Sequence, residues 1–418
     1  MLMGTRTVVI VDPYSSGVMY APALRRAGFS PVAVCSDPPP APQFTAAFRP
    51  QDFDARFRAE EGLDALLRAL DRLDVAAVLP GAESGVLLAD HLAARLAPHL
   101  ANDPELAPHR RHKGLMQQAL ARHGLPVTPT LTVRHPDEAA PLLTAPPFAG
   151  QDLVVKPAAA VCTDGVTLVE GGRNWQAAVT ALLGRRNAVG LVNEEVVVQR
   201  RLTGTEYVVN TFSHDGRHTV TDLCRYRKVA NAGHFAVYQD VEFLPFAGPG
   251  HEELVDYVRG ALDALGFRFG PAHTEVMLTA DGPRLIEVNA RVAGSGMAAA
   301  AALATGDNGI QRTVRYLGGV QGAVPDTFEL ARTVRVAMFV APRPGTVANA
   351  EVLHEIQTLP TCRGLEVRVR NGDTIAATSD LLSSTALGWA LLADRDAAAV
   401  ERDHRLARAF AERLRITA

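Results

Sequence analysis

Short apolar runs alternate with amphipathic segments in the N-terminal part of the chain. The runs are rich in β-branched residues, which is typical of buried strands, and they read TVVIVDP (7–13), PVAVCS (31–36) and VAAVLP (75–80). The amphipathic segments show the helical spacing of apolar positions and lie near 19–28, 60–73 and 85–96. Strands that alternate with helices predict a parallel, doubly wound sheet. The first loop reads DPYSSG rather than G-x-G-x-x-G, so no dinucleotide site is predicted.

The pattern changes in the middle of the chain. A helix is predicted at about 109–123, because Gly124 and Pro126 then end the helical periodicity. The next stretch is rich in strands, which are DLVVKP (152–157), GVTLV (165–169), VVVQRRL (196–202) and EYVVNTFS (206–213). A third section starts with TVRVAMFVAPRPG (333–345) and closes with an Arg-rich amphipathic helix near 394–415.

Composition limits the classes of function. The 418 residues are 47% hydrophobic and 21% charged with a formal net charge of −3, so we expect no overall attraction to nucleic acid or anionic membranes. No stretch approaches the roughly 20 apolar residues of a membrane span. The chain enters its first strand without a signal-peptide layout, so we expect a cytoplasmic protein. The four cysteines are far apart, which predicts reduced thiols and not a zinc site.

The segment LIEVNARVAGSG (285–296) carries the clearest chemical pattern. Side chains on a strand alternate between faces, so Glu287, Asn289 and Arg291 are predicted to project together. The intervening apolar residues, beginning with Ile286, are predicted to project the other way. One face of this strand is therefore expected to carry functional polar side chains, and the other face is expected to be buried.

The preceding segment predicts a partner for this strand. AHTEVMLTADGPR (272–284) contains the turn signal ADG between two strands. With a loop at Ala280 to Gly282, Thr279 pairs with Pro283, and the same register places Glu275 opposite Glu287.

Two carboxylates directly across a ladder repel each other. A bridging divalent cation removes the repulsion, and Mg²⁺ prefers hard oxygen ligands together with substrate phosphates. Asn289 would supply a third oxygen beside Glu275 and Glu287. The alternative is a surface hairpin in which Arg284 and Arg291 neutralise the glutamates.

Two further segments have features that favour nucleotide binding. Lys156 ends the strand DLVVKP and precedes a loop of small residues, AAAVCTDGV, which can approach a polyphosphate with its backbone amides. Lys113, on the earlier helix, is a second candidate phosphate ligand, with a solvated helix lysine as the alternative. In VVVQRRLTGTEY (196–207), a strand end can bond an adenine edge and Glu206 can accept ribose hydroxyls, with a purely structural strand as the alternative.

In chain order these motifs resemble the ATP-grasp superfamily. The shared features are a lysine on a helix, VVKP with a small-residue loop, a strand followed by G-x-E, and the paired strands TEV and LIEVNAR. The sequence motifs GTEYVV, PAHTEV and EVNARVAGSG are similar to those of the carboxylate–amine ligase branch, which includes bacterial L-amino acid ligases and carnosine synthase. The resemblance covers essentially the whole chain and is most specific at the Glu, Glu-x-Asn and Arg set.

The resemblance implies an ATP-grasp fold of α/β and α+β class. It implies an N-terminal doubly wound domain at 1–101 and an ATP-grasp domain at 102–330, whose small lid lobe spans about 126–200. A C-terminal α+β domain at 331–418 would complete the large lobe.

The resemblance also implies roles for individual residues. ATP would be bound by Lys113, Lys156, Thr163, Asp164, Gly165, Gln199, Leu202 and Glu206. Gln199 stands where the family usually has a glutamate at the adenine hinge, and it keeps an oxygen acceptor without the charge. Two Mg²⁺ ions, with Mn²⁺ as a substitute, would be held by Glu275, Glu287 and Asn289. Arg291 would stabilise charge on the transferred phosphoryl group and on the tetrahedral intermediate.

The implied reaction joins a small-molecule carboxylate to an amine, with amino acids or similar compounds as substrates and an acyl phosphate as intermediate. The implied substrate-binding residues are His273, Arg291, Gly294 and Ser295. Gly294 and Ser295 open a helix whose N-terminus could receive an anionic group; Ser295 would leave space beside Arg291 or serve as an N-cap. The stretch CRYRKVANAGHF (224–235) is predicted to be a loop over the pocket. The family is compatible with a homodimer.

Two other functions stay open. One is an ATP-grasp carboxylase that activates bicarbonate, although the sequence has no biotin-carrier M-K-M motif. The other is a non-catalytic, ATP-binding regulatory protein. The complete set of Glu275, Glu287, Asn289 and Arg291 argues against the second, because a silent relative has no need of all four.

Overall fold

The N-terminal part of the chain forms a parallel sheet with helices on both faces. The structure is a computed structural model that describes residues 6–320 and 324–417. The elements of this part are β1 (Thr7–Val11), α1 (Tyr20–Arg26), β2 (Ser30–Cys35), α2 (Pro42–Thr45), β3 (Ala55–Arg58), α3 (Leu63–Leu70), β4 (Val75–Pro80) and α4 (Val86–Leu96). The strand order is β3-β2-β1-β4, with all pairs parallel. The predicted doubly wound layer is confirmed.

Strand β1 shows why the layer is buried on both sides. Val8 and Ile10 pack with α1 and with residues of the eight-stranded sheet described below, among them Phe212. Val9 and Val11 pack on the opposite face against α3 and α4. The side-chain period of two therefore divides one short apolar run between two separate hydrophobic clusters.

A second four-stranded sheet follows. Its elements are α5 (Lys113–Arg122), β5 (Thr130–Val133), α6 (Pro136–Leu143), β6 (Leu153–Pro157), β7 (Thr167–Val169), α7 (Trp175–Leu182) and β8 (Val196–Arg200). The strand order is β5-β8-β6-β7, and all pairs are antiparallel. We call the unit formed by β5 to β8 with α6 and α7 the lid lobe; its core contains Trp175 and Val179.

Helix α5 starts later than the sequence predicts. A 3₁₀ segment, Pro104–Arg110, precedes it and contains Pro108, whose ring is poorly compatible with an α-helix interior. His112 is the N-cap, and its Nδ1 accepts hydrogen bonds from the amides of Gly114 and Leu115. The cap fixes Lys113 as the first residue of the helix.

An eight-stranded antiparallel sheet forms the centre of the molecule. Its middle part comprises β9 (Thr205–His214), β10 (Arg217–Asn231), β11 (His234–Leu244), α8 (His251–Ala264), β12 (Gly270–Thr279), β13 (Gly282–Asn289), α9 (Met297–Thr305) and α10 (Gly309–Leu317). Tyr207 and Val209 of β9 face the cluster with α5 and α8, whereas Val208 faces the cluster with α9. Helices thus cover both faces of the sheet.

The C-terminal section extends the same sheet and adds a small one. Its elements are β14 (Thr333–Met338), β15 (Gly345–Val347), α11 (Glu351–His354), β16 (Cys362–Val367), β17 (Thr374–Ile375), α12 (Leu381–Leu387), β18 (Gly388–Asp394), α13 (Ala397–Glu412) and β19 (Ile416–Thr417). The large sheet has the order β13-β12-β9-β10-β11-β14-β18-β16, and β17-β15-β19 form a three-stranded sheet.

The predicted loop at 224–235 is wrong. Most of this stretch belongs to the long hairpin of β10 and β11, and the turn is Ala232–Gly233, both with positive φ (48° and 86°). Positive φ at both central residues is the geometry that favours a two-residue hairpin. Charged residues in this hairpin obscured its period-two pattern.

The hairpin of β12 and β13 reaches the predicted carboxylate pairing by a different path. Thr279 pairs with Gly282, not with Pro283, so the turn has two residues. A β-bulge then shifts the register between Glu275 and Val276, and Glu275 lies opposite Glu287. Ile286 is the extra residue, which is why it lines the same cavity as Glu287 and does not face away from it as predicted.

Within the described ranges, every helix is too short or too polar to cross a membrane.

Candidate active site

A cavity of about 1220 Å³ lies between the lid lobe and the large sheet. It extends from the ends of β6 and β8 to the β12–β13 hairpin and the loop before α9. Every residue predicted for the site lines this cavity except Gly165 and Asn289. Segments that are far apart in the chain therefore meet in one enclosed space.

Glu275 and Glu287 face each other across the hairpin at the floor of the cavity. Asn289 does not line the cavity; its Nδ2 donates to Glu287 Oε1 at 3.1 Å. In the described parts of the chain, no three His, Cys, Asp or Glu side chains converge as a metal-binding group. The donors present are two carboxylates beside two lysines, which suits an ion that takes its other ligands from substrate and water.

Two lysines enter the same space from different elements. Lys113 Nζ lies 2.7 Å from Glu287 Oε2 and donates to the carbonyl of Ala160 at 3.0 Å. Lys156, at the end of β6, is only 6% exposed. Burial and the neighbouring charge of Lys113 lower the pKa of Lys156 to about 8. Burial alone would raise the pKa of Glu287, but the attraction and hydrogen bond of Lys113 hold it well below its ordinary value.

The loop after β6 closes one end of the cavity, and we call residues 158–166 the phosphate loop. Cys162 and Thr163 have positive φ (58° and 59°), and Gly165 has φ +70°. Asp164 Oδ2 accepts from the Ala188 amide at 2.6 Å, and Thr163 Oγ1 accepts from the Leu381 amide at 3.3 Å. Gly165 thus shapes the loop without facing the cavity.

Cys162 is a thiol in a buried position. Burial raises its pKa to about 12. It is therefore uncharged near neutral pH, and its position gives no sign of a nucleophilic role.

The hinge strand β8 and the start of β9 form a further wall. Gln199 is buried and donates through Nε2 to Thr130 Oγ1 at 2.9 Å, so its amide nitrogen is used inside the lid lobe. Leu202 lines the cavity beyond β8. Glu206 lies 2.7 Å from Lys228 Nζ. Burial raises the pKa of Glu206, although the charge of Lys228 opposes the shift.

Lys228 is a cavity residue to which the sequence assigned no role. It lies on β10, and its Nζ is 4.2 Å from the centroid of the Tyr238 ring. Tyr226, Arg227 and Lys228 of strand β10 all line the cavity, and the strand has a register shift between Arg227 and Lys228, so a period of two does not single out Lys228.

Arg291 is held by a residue of the N-terminal layer. Its Nε donates to Glu83 Oε2 at 3.0 Å, and its Nη1 donates to the carbonyl of Val292 at 3.0 Å. Glu83 follows β4 and also lies 3.4 Å from Arg111 Nη1. No spacing rule links Glu83 to Arg291 in the sequence, so this contact was missed.

His273 is anchored from behind by a buried polar chain. Its Nδ1 lies 2.8 Å from Asn210 Oδ1, and Asn210 Nδ2 donates to Asp222 Oδ1 at 2.6 Å. Because the Asn210 amide nitrogen is used, its oxygen accepts, and His273 Nδ1 is the donor. His273 Nε2 then points toward Glu275, at 3.4 Å.

The loop before α9 joins the cavity to the N-terminal layer. Gly294 and Ser295 line the cavity, and the Ser295 amide donates to Ser15 Oγ at 2.9 Å. The helix N-cap is Gly296, so Ser295 is not the cap. One amide of this loop is therefore already occupied.

One wall of the cavity is apolar. One hydrophobic cluster supplies six side chains to the cavity, which are Tyr226, Tyr238, Val241, Met297, Met338 and Leu381. The two tyrosine rings meet edge to face with centroids 5.1 Å apart. Neither tyrosine hydroxyl has a hydrogen-bond partner among the residues described by the structure. The wall offers contact area for an apolar group of a ligand, and its two tyrosine hydroxyls are available for polar contacts.

Comparisons with known proteins agree with this geometry. The family model for the ATP-grasp domain matches residues 149–299. Dapdiamide A synthase of Enterobacter agglomerans is 32% identical over 305 residues, which are 70% of this chain and 69% of that protein.

Solved structures share the fold over nearly the whole chain. The L-amino acid ligase from Bacillus licheniformis superposes with a TM-score of 0.73 at 19% identity, covering 99% of this chain and 98% of that one. The carboxyaminoimidazole ribonucleotide synthase from Aspergillus clavatus, solved with ATP, superposes with a TM-score of 0.71 at 14% identity, covering 98% and 99%. At these identities the likeness concerns the fold.

Proposed function

This chain belongs to the carboxylate–amine ligase branch of the ATP-grasp superfamily, and we propose that it forms an amide bond between two amino acids or amino-acid-like molecules. The observation that carries the proposal is the meeting of two lysines, two facing glutamates and an arginine in one cavity beneath a lid lobe. The similarity to dapdiamide A synthase supports an enzyme that forms C–N bonds.

The proposed reaction has two steps. A substrate carboxylate attacks the γ-phosphorus of ATP, the bond to ADP breaks, and an acyl phosphate forms. The amine of the second substrate then attacks the acyl carbon, loses a proton, and inorganic phosphate leaves. Charge neutralisation and positioning supply most of the catalysis in phosphoryl transfer, so no nucleophilic side chain is needed.

The proposal assigns a role to the main predicted site residues. Lys113 and Lys156 bind the phosphates beneath the phosphate loop, while Leu202 and Glu206 contact the purine and the ribose. Arg291 faces the transferred phosphoryl group and the acyl oxygen, with Gly294, Ser295 and His273 beside the substrates. Magnesium would be held by Glu275 and Glu287, with Asn289 hydrogen-bonded behind them, and it would screen phosphate charge.

Gln199 contributes less than the adenine-hinge role suggests. One of its two amide N–H groups bonds Thr130, which leaves one N–H and the amide oxygen for a ligand. We propose that adenine contacts the hinge backbone after β8 and that Gln199 mainly stiffens the lid lobe.

The apolar wall supports a substrate class. Six apolar or aromatic side chains of one hydrophobic cluster line the cavity. Burying an aliphatic side chain there is favourable by about 1.5 to 3 kcal/mol. We therefore propose that at least one substrate is an amino acid with an apolar side chain.

The proposal also includes the domain boundaries, the cellular location and the oligomeric state. We place the domain boundaries at 101/102 and 330/331, with the lid lobe at about 126–200. The cytoplasmic location and the homodimer stay predictions. A bicarbonate carboxylase and a regulatory ATP-binding protein are not better supported than the ligase.

The test is ADP and phosphate release with ATP and Mg²⁺ over the amino acids, presented singly and in all pairs, with mass spectrometry of the products. We expect release that requires a pair with at least one apolar member and a product mass equal to the two minus water. Glu287→Gln is the inactive control, and it should lower turnover about 100-fold or more. AMP in place of ADP contradicts the acyl phosphate, release with bicarbonate alone indicates the carboxylase, and nucleotide binding without turnover indicates the regulatory protein.

A further inference from the structure

Glu83 lies at the junction between the N-terminal layer and the cavity. It is 6% exposed and does not line the cavity. One carboxylate oxygen accepts from Arg291 Nε at 3.0 Å, and the other lies 3.4 Å from Arg111 Nη1. A buried carboxylate thus lies between two guanidinium groups.

The second arginine connects Glu83 to the phosphate loop. Arg111 Nη2 donates to the carbonyl of Ala159 at 3.1 Å, and Ala159 lies at the start of that loop. Arg111, Glu83 and Arg291 therefore form a continuous chain from the phosphate loop to the arginine that faces the substrates.

The contacts determine which part of Arg291 is available. A guanidinium group carries five N–H donors in a planar fork. Glu83 occupies Nε and the carbonyl of Val292 occupies Nη1, while Nη2 has no partner among the described residues. With Nε and Nη1 both held, the orientation of the guanidinium plane and the position of Nη2 are fixed at the cavity that Arg291 lines.

We propose that Glu83 is a positioning residue for Arg291 and sets the reactivity of the site without touching a substrate. The inference rests on the proposed role of Arg291. A preorganised donor costs no reorganisation when charge develops, and a misplacement of about 1 Å can lower the rate by about 100-fold. The competing explanation is a purely structural ion pair between two parts of the chain.

The test variant is Glu83→Gln. Glutamine has nearly the same shape but only one acceptor oxygen, so its amide nitrogen opposes one of the two guanidinium groups. We expect kcat for ADP release to fall about 10- to 100-fold, while KM for ATP changes less than about twofold.

A matched control separates positioning from stability. Asp90→Asn removes another buried carboxylate of the N-terminal layer, which lies 3.0 Å from Arg110 and does not contact Arg291. Both variants should lower Tm, because each leaves a buried arginine poorly paired. Only Glu83→Gln should lower kcat; an equal loss of kcat in both variants overturns the proposal.

A double-mutant cycle provides the readout that a structural role would not change. In an Arg291→Ala background, Glu83→Gln should lower the residual rate less than about twofold, because it acts through a side chain that is no longer present. The same loss on both backgrounds overturns the proposal.

Failure of the proposed function is distinguishable. If no amino-acid pair supports ADP release by the unmodified protein, the ligase assignment fails. Crystal structures of the Glu83→Gln and Asp90→Asn variants with ADP then decide the inference. Displacement of the Arg291 guanidinium in the first variant alone supports it, and an unchanged Arg291 overturns it.

Discussion

Lys156 combines burial with a proposed role, phosphate binding, that requires charge. Its pKa is lowered to about 8 by burial and by Lys113, so the ammonium form still predominates at pH 7. Above pH 8 the side chain becomes neutral in the free protein. A phosphate placed beside it favours the charged form, so nucleotide binding should take up a proton in that range.

This predicts weaker nucleotide binding at alkaline pH. The Kd for ADP should rise about tenfold or more between pH 7 and pH 9.5, because one phosphate ligand loses its charge. Lys156→Arg should flatten the profile, since a guanidinium stays protonated throughout. Isothermal titration calorimetry of both proteins checks this, and identical slopes would contradict the assignment of the titration to Lys156.

Single residues differ in how far the sequence identifies them. The pairing of Glu275 and Glu287 could be predicted from the sequence, because period-two alternation and a turn signal place them on one face. The contact of Glu83 with Arg291 could not be predicted, because it joins a loop after β4 to a strand end over 200 positions away. Such pairs follow from how elements pack together, and no local spacing records them.

At the scale of elements, the phosphate loop depends on backbone geometry. Gly165 has φ +70°, and a Cβ added there would lie 2.8 Å from Leu182 Cδ2. The loop thus needs a residue without a side chain, both for its left-handed conformation and for its packing against α7.

Gly165→Ala should therefore weaken nucleotide binding. The left-handed conformation costs an alanine about 1 to 2 kcal/mol, and Leu182 must also shift, so we expect the Kd for ADP to rise about three- to tenfold. Gly184→Ala in the same lid lobe is the control, because Gly184 has φ +73° and open space around it. Equal effects of the two variants on ADP affinity would show that local packing at Gly165 is unimportant.

Elements were predictable where one physical pattern dominates them. The strands of the parallel layer were found because burial on both faces leaves uniform apolar runs. The β10–β11 hairpin was missed because part of it faces a polar cavity, so Arg225, Arg227 and Lys228 resemble a solvated loop. The bulge at Ile286 was also missed, since a two-residue turn followed by a bulge and a three-residue loop without one place the same residue opposite Glu275.

At the scale of the whole molecule, three sections of the chain meet around the cavity. Thr163 of the lid lobe contacts Leu381 of the C-terminal section, and Ser295 beside the large sheet contacts Ser15 of the N-terminal layer. Water must be kept from an acyl phosphate, and such contacts hold the walls of the cavity together.

Loosening the lid should uncouple the two steps. Thr163→Val removes the oxygen that accepts from the Leu381 amide, so we expect more ADP released per amide product as acyl phosphate is lost to water. Thr167→Val, at an exposed position on β7, should leave the ratio unchanged. Quantifying ADP and product in the same reaction checks this; a ratio of one in both variants would show that the Thr163 contact does not retain the intermediate.

The bulge at Ile286 has a consequence for anyone who transplants this hairpin into another scaffold. The short turn and the extra residue act as two offsets of opposite sign, and only together do they bring Glu287 across from Glu275. A graft that keeps the turn but pairs Ile286 regularly, without the bulge, would place Ile286 opposite Glu275 and turn Glu287 toward the apolar layer that contains Leu285 and Val288. The turn and the bulge must therefore be transferred together, although four residues separate Ile286 from Asp281.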